Sequence, residues 1–283
     1  GLRLDTSVND INVVAYVNDS RNDERRWGDY DGNSFNDIEV AMTENKSEET
    51  GAGLEISSDN GGPLSWIVGL NYFDQEVNYD FDLRIGAIGG GNVPASTGWG
   101  TYNLDTYGIF ASFDYEMSDK WTLTVGGRYT NEEKDVHWRA SSYPEYAQNE
   151  RLTLAAALLP NKAAEEWSSF DPKVTLTYNL ENNGIIYATY ATGFKSGGYN
   201  APTRQGGEVL EPEEIMMIEL GYKADLTDTL RITSSFFMYD YEDLQVTRAA
   251  VGTGTVTTEN ATDSEVMGAD FDLNWLVSDS FTL

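Results

Sequence analysis

The feature that most constrains this fold is an alternation of apolar and polar side chains on two arms joined at residues 118–120. The first arm places on one parity Tyr107, Ile109, Ala111, Phe113 and Tyr115, and Phe110 is the exception on the other parity. The second arm places on one parity Trp121, Leu123, Val125, Gly127 and Tyr129. Because successive side chains of a strand point to opposite faces, each arm has one apolar and one polar face. That pattern predicts a hairpin with lipid on one side and water on the other.

The same alternation recurs along the chain and predicts about ten strands, with the start of another at Phe281. The other apolar rows lie within 11–17, 52–56, 64–72, 174–178, 216–222, 230–238 and 267–275. Residues 185–194 are also strand-like, but Ile185 and Tyr187 compete with Ile186, Ala188 and Tyr190 for the apolar face. The face of this strand therefore stays open.

The connections between these strands alternate in length. Short turns rich in Asp, Asn and Gly lie at 59–62, 118–120, 179–184, 226–229 and 277–280, and these residue types suit tight hairpins. Long polar connections are predicted at about 19–48, 75–103, 132–167, 196–212 and 243–262. Short turns at one end and long loops at the other are typical of an outer-membrane barrel.

The strand length agrees with a membrane crossing. At about 3.3 Å per residue and a tilt of roughly 40°, Trp121 to Tyr129 spans about 20 Å, close to the apolar band of such barrels. Three tryptophans, Trp66, Trp121 and Trp275, lie beside short turns, which predicts an aromatic girdle on the periplasmic side. Three tyrosines, Tyr72, Tyr107 and Tyr129, lie beside long loops, which predicts a second aromatic girdle on the outer side. The alternative is a soluble β-sandwich, but its turns should be of similar length at both ends.

Composition limits the possible partners. The formal net charge is −29, from 18 basic and 47 acidic residues, which argues against nucleic acid. The sequence contains no run of about eighteen apolar residues, so it predicts no transmembrane helix.

Several stretches resemble the barrel of TonB-dependent outer-membrane receptors. They are found, in order, at 50–58, 64–73, 121–130, 171–174, 186–200, 212–214, 219–223 and 239–246, among them the sequences WTLTVGGRYT and IYATYATGFKSGGYN. The resemblance rests on their order and spacing over nearly the whole chain. It implies a barrel of about twenty-two strands around an N-terminal plug, localised in the bacterial outer membrane and energised through a TonB box.

The chain departs from that pattern, because nothing in it resembles the plug or a TonB box. We therefore expect residues 1–283 to form a partial transmembrane antiparallel β-barrel of about ten to eleven strands, a fragment of a longer chain. The resemblance implies a receptor and transporter for a scarce nutrient such as an iron chelate, a vitamin or a glycan. Its implied partners are outer-membrane lipid, the rest of its own chain, the TonB complex and the nutrient. A passive porin-like channel and a surface-binding or adhesion barrel remain alternatives.

Candidate substrate contacts come from the expected external loops and the polar inner wall. Aromatic residues that could stack on a sugar or a chelate ring are Trp27, Tyr30, Trp99, Tyr102, Trp138, Tyr143 and Tyr199. Arg204 is a possible anion contact in a loop, and Arg128 shares the parity of the polar inner wall.

A metal site and an enzymatic site have weaker support. Asp29, Asp31 and Asp37 space oxygen ligands roughly as a calcium loop does, but Ser34 and Val40 stand where an EF-hand needs Gly and Glu. An irregular calcium site is the only cofactor site that the sequence suggests. His137 is the only histidine and cysteine is absent, so no catalytic triad or transition-metal cluster can be assembled. The chain is therefore predicted not to be an enzyme.

Overall fold

The computed structural model is an all-β chain. It describes residues 1–29, 38–58, 61–86, 92–142, 163–181, 184–199, 209–249, 256–278 and 280–282. These described residues form sixteen strands: β1 Leu2–Val8, β2 Ile11–Asp29, β3 Ile38–Ser58, β4 Leu64–Gly86, β5 Asn92–Ser118, β6 Trp121–Ser142, β7 Ala163–Asn179, β8 Ile185–Lys195, β9 Gly198–Tyr199, β10 Val209–Leu210, β11 Glu213–Thr227, β12 Leu230–Glu242, β13 Gln245–Ala249, β14 Val256–Asn260, β15 Ser264–Ser278 and β16 Phe281–Thr282. None of the described residues forms a helix long and apolar enough to cross a membrane.

Twelve of these strands form one antiparallel sheet in the order β1-β2-β3-β4-β5-β6-β7-β8-β11-β12-β15-β16. Apart from the steps from β8 to β11 and from β12 to β15, each strand pairs with its sequence neighbour. The ten predicted strands and the start at Phe281 are all confirmed. Strand β1 is additional, and a tight turn in which Asn9 and Asp10 have positive φ joins it to β2.

One face of the sheet is a continuous apolar surface, because the register places the predicted rows side by side. Leu54 pairs with Leu70, which pairs with Ile109, and Ile109 pairs with Tyr129. Leu70 and Ile109 are each more than half exposed, as expected of side chains that contact lipid rather than a protein core.

The register also settles which face of β8 is apolar. Ile186, Ala188 and Tyr190 pair with Tyr178, Leu176 and Val174 of β7, so they continue the apolar surface. Tyr187 lies on the opposite, inner face, where its hydroxyl donates a 2.6 Å hydrogen bond to Glu219.

The predicted long loops are wrong over much of their length. Strands β4 and β5 pair from Leu64–Tyr115 up to Gly86–Asn92, and β5 and β6 pair up to Ser96–Ser142. The polar composition of 75–103 and 132–142 indicated loops because no apolar face is needed above the membrane. The backbone ladder nevertheless continues there, since antiparallel hydrogen bonds do not depend on which solvent surrounds the side chains.

On the inner face, aromatic residues pair with glycines of the neighbouring strand. Phe110 lies opposite Gly69 and Tyr187 opposite Gly221, and a Cβ on either glycine would overlap the facing ring. Tyr16 with Gly53 and Phe237 with Gly268 repeat this arrangement. This accounts for Phe110, the exception in the sequence pattern: its ring covers the bare backbone of the neighbouring strand.

Candidate functional site

An aromatic cluster lies on the inner face of the sheet, above the level of the apolar band. Val136 of β6 is at its centre with an exposed fraction of 1%, and Tyr79 of β4, Tyr102 of β5 and Tyr199 of β9 pack against it. Tyr102 pairs directly with both Val77 and Val136, so the register of three strands builds the base of the cluster.

Tyr199 reaches this cluster because the chain leaves the sheet after β8. The pairing of β7 with β8 ends at Lys173 and Ala191, next to Pro172, which has no N–H with which to continue the ladder. A cavity of about 470 Å³ opens there, lined in part by Phe170, Asp171 and Glu214. Residues 196–199, here called the inward segment, then cross the inner face of β6 and β7.

Lys134 of β6 holds the inward segment. Its ammonium donates hydrogen bonds of 2.6 Å to Ser196 Oγ and 2.7 Å to the Gly197 carbonyl, and it lies 3.0 Å from a Glu132 carboxylate oxygen. It also stands 5.5 Å from the centre of the Trp167 ring, a cation–π contact. The Lys134 side chain is only 12% exposed, so these contacts replace most of its hydration.

Ser196, Gly197 and Tyr199 make further contacts, and β9, which lies within the segment, pairs with β10 through Gly198–Leu210 and Tyr199–Val209. Ser196 Oγ donates a hydrogen bond to Glu132, and the Tyr199 ring lies edge-on to Trp167 at 6.3 Å. A side chain at Gly197 would overlap the Trp167 ring, so only glycine permits this approach.

Side chains of the β13–β14 hairpin form hydrogen bonds with both ends of the connection from β8 to β11. The Gln245 side-chain amide donates hydrogen bonds to the carbonyls of Ser196, at 3.1 Å, and Glu211, at 3.0 Å. Asn260, the register partner of Gln245, accepts from the Glu211 N–H and donates to the Glu211 carbonyl. The two connections therefore form one hydrogen-bonded unit.

The phenols of the cluster are weak acids here. Burial raises the pKa of Tyr79 to about 12. Burial and the nearby Glu132 carboxylate raise the pKa of Tyr102 to about 12. Burial, with Glu165 and Asp135, raises the pKa of Tyr199 to about 12. All three therefore keep their protons, and their ability to donate hydrogen bonds, throughout the physiological pH range.

Arg128 lies on the same inner face but far from this cluster. Its guanidinium donates to Asn71 Oδ1 at 2.8 Å and Thr130 Oγ1 at 2.9 Å and covers Gly108. Val136 is eight residues further along β6, which corresponds to about 27 Å. The structure thus places Arg128 on the inner wall, as predicted, at the level of the apolar band and apart from the tyrosines.

The structure brings together two of the nine predicted contact residues, Tyr102 and Tyr199. Trp99 lies on the opposite, outer parity of β5, beside a shallow depression lined by Glu44, Asp80 and His137. The side chains of Trp27, in β2, and Trp138, in β6, lie outside the described part of the structure, as do residues Tyr30, Tyr143 and Arg204.

Sequence reasoning missed Tyr79, Lys134 and Trp167. They were assigned to loops, where parity carries no information. Had β4 been extended past residue 75, β6 past residue 132 and β7 back to residue 163, the alternation would have placed all three on the inner face.

The predicted calcium ligands are not described as a site. Asp31 and Asp37 lie outside the described residues, as does the side chain of Asp29. In the described part of the chain, no three His, Cys, Asp or Glu side chains are grouped so that they could hold a metal ion.

Solved structures share this fold. The ferric yersiniabactin uptake receptor FyuA from Yersinia pestis superposes with a TM-score of 0.80 at 14% identity, covering 98% of this chain and 39% of that chain. The copper transporter OprC superposes with a TM-score of 0.76 at 12% identity, covering 99% of this chain and 44% of that chain.

Two relatives with similar sequences are named as receptors. A probable TonB-dependent siderophore receptor, PiuA of Acinetobacter baumannii, is 24% identical over 188 residues, which are 64% of this chain and 23% of PiuA. The pesticin receptor of Yersinia enterocolitica is 21% identical over 187 residues, 64% of this chain and 25% of that protein. The matched region spans about a quarter of each relative.

The family model of the TonB-dependent receptor-like β-barrel matches residues 1–283, the whole chain. The twelve-stranded sheet with its exposed apolar face is accordingly part of an outer-membrane barrel. The chain belongs to the TonB-dependent receptor family and forms part of the β-barrel of such a receptor.

Proposed function

We propose that this chain is part of an outer-membrane receptor that binds a scarce nutrient, in the class of metal chelates, and imports it with energy supplied through TonB. The observation that carries this proposal is the inner-face aromatic cluster of Tyr79, Tyr102, Tyr199 and Trp167, above the lipid-contacting band. The choice of metal chelates is supported by the names of similar proteins, which include siderophore receptors and a copper transporter.

The cluster favours a ligand with aromatic or other planar surfaces. Its rings offer stacking faces, and the phenols of Tyr79 and Tyr102 stay protonated and can donate hydrogen bonds to ligand oxygens. Ligand binding sites commonly combine such apolar walls with a few convergent polar groups.

The charges around the cluster favour a neutral or cationic ligand over a strongly anionic one. Lys134 is the one cation among the described contacts of the cluster, and Glu132 already neutralises it. Glu165, the register partner of Lys134, adds a second carboxylate on the same face. A polyanionic chelate would meet this acidic surface without a free cation to bind it.

The test uses the full-length receptor in its own host, with and without a functional TonB. Growth is measured under metal limitation on a panel of neutral, cationic and anionic ferric chelates, with a corrinoid and an oligosaccharide for comparison. We expect growth on a neutral or cationic chelate that depends on both the receptor and TonB. Uptake that does not need TonB, or uptake restricted to the corrinoid or the oligosaccharide, would overturn the proposal.

The site itself is tested by Tyr102→Ala in the same receptor. This substitution should lower the affinity for the transported chelate by about tenfold or more, because it removes one stacking surface and one hydrogen-bond donor. The matched control is Tyr115→Ala on the same strand, whose side chain lies on the lipid face. Equal effects of the two substitutions on binding would contradict a role for the cluster.

A further inference from the structure

The inward segment, residues 196–199, occupies the surface to which the proposed function assigns the ligand. Tyr199 packs against Val136 between the inner-face tyrosines and Trp167. Its ring uses the same stacking contacts that an aromatic part of a ligand would use.

We propose that the inward segment is an intramolecular occupant of the receptor: Lys134 holds it over the aromatic cluster, and a ligand reaches that cluster only when the segment is displaced. This inference rests on the proposed function for the identity of the site, but closure of the segment can be measured without any ligand.

The first support is the hydroxyl of Tyr79. It is buried and has no hydrogen-bond partner among the described residues. A buried hydroxyl without a partner is unfavourable, so the closed arrangement leaves one donor unsatisfied. Tyr79 and Tyr199 both pack against Val136, so withdrawal of Tyr199 would open the space around Val136 to water or to a ligand that this hydroxyl could bind.

The second support is the kind of contact that holds the segment closed. The Lys134 ammonium donates two hydrogen bonds to it, the Lys134 carbonyl accepts one from the Tyr199 hydroxyl at 3.4 Å, and Ser196 donates one to Glu132. The segment adds a single large side chain, Tyr199, to the cluster, and Gly197 and Gly198 contribute none. Water or a ligand can replace a few polar contacts around one cation more easily than it can replace a wide apolar interface.

The third support is the attachment of the ends. Gln245 and Asn260 hold Ser196 and Glu211 through backbone groups outside the cluster. Rotation about these points would withdraw Tyr199 while leaving the ladders of β8 and β11 intact. The Gln245 and Asn260 contacts therefore serve as the hinge, and Lys134 serves as the latch.

The experiment measures access to the residue beneath the segment. The chain contains no cysteine, so Val136→Cys introduces one thiol into this part of the full-length receptor. Intact cells are treated with a membrane-impermeant maleimide, and the labelling rate is compared with and without a second substitution, Lys134→Met. We expect slow labelling of the single variant and at least about tenfold faster labelling of the double variant, which corresponds to about 1.4 kcal/mol of lost closure.

Two controls separate opening from general loosening. Thr130→Cys places the thiol on the same strand and face, at a site that is also buried but not contacted by the segment. Lys134→Met should leave the labelling rate of that thiol unchanged. Lys134→Arg keeps the cation and should restore most of the protection of Cys at position 136. Folding of each variant is checked by its heat-modifiable migration on gels.

An unchanged rate at position 136 in the Lys134→Met background would overturn the latch, as would equal acceleration at position 130. Fast labelling of the single Val136→Cys variant would overturn closure itself. Failure of the proposed function has a different signature: the labelling results would hold, but no TonB-dependent chelate uptake would be found.

Discussion

Strand β5 crosses two environments: one half lies in the lipid-contacting band and the other half lies above it. In residues 107–115 the outward side chains are large, apolar and exposed, and the strand is in contact with lipid. In residues 101–105 the outward positions carry Thr101, Asn103 and Asp105, while Tyr102 faces inward to the cluster. Both halves pair continuously with β4 and β6.

Backbone pairing therefore defines the extent of the strand, whereas the chemistry of its outward side chains depends on whether lipid or water surrounds them. In lipid every backbone group must be paired, so the ladder is obligatory. Above the lipid it continues with polar cross-strand contacts, such as Thr101 with Asn78 and Tyr72 with Asp105. The aromatic cluster forms in this second region, where inner side chains face the external end.

The largest expected effect comes from placing a charge in the lipid-contacting half. Ile109→Arg puts a guanidinium on the apolar face and should lower the free energy of unfolding by about 2–4 kcal/mol. Its matched partner is Asn103→Arg, on the same strand and face but above the band and opposite Glu76. That substitution should change stability by less than about 1 kcal/mol. Denaturant unfolding of the full-length receptor in bilayers measures both, and equal losses would contradict the division of β5.

A smaller effect is expected from the inner face at the level of the band. Gly221→Ala would drive a Cβ into the Tyr187 ring, which must then move and lose its hydrogen bond to Glu219. The expected cost is about 1–3 kcal/mol in the same unfolding measurement. Gly198→Ala is the control, because nothing lies within 4 Å of the added Cβ. A similar cost at both positions would show that the facing ring is not the cause.

The smallest effect concerns pH, in the region above the band. The pKa of Tyr102 is raised from 10.0 to about 12, so the folded state favours the protonated phenol. The corresponding stability is present below about pH 10 and is lost as pH rises through about 12. Ultraviolet titration of phenolate should show a component near pH 12 that becomes smaller in Tyr102→Phe. Full ionisation of all phenols near pH 10 would contradict the burial of the cluster.

Much of the fold was predictable because alternation with period two is a local property. It identified ten strands, the apolar faces of nine of them and most short turns from the sequence. Strand ends were predicted poorly, because polar ladders above the membrane have the composition of loops. The face of β8 stayed open for a related reason: apolar residues occupy both of its parities, and only pairing with β7 and β11 distinguishes Ile186 and Tyr190 from Tyr187.

The candidate site was predictable only in fragments. Tyr102 and Tyr199 were chosen as aromatic residues, without any sign that they meet. They are almost a hundred residues apart, and the contact depends on the register of β4 to β7 and on the inward turn after β8. Trp99, three residues before Tyr102, lies on the other face, since an odd separation along a strand reverses direction.

The sequence by itself determined that this chain forms strands with one lipid-facing side, because the solvent on each side selects the residue type at alternate positions. The tertiary structure alone decided that Lys134, Trp167 and the three tyrosines form one cluster, and that residues 196–199 lie across it. Those contacts join distant segments. Their geometry is set by the register of the sheet and by the end of the β7–β8 pairing at Lys173, next to Pro172.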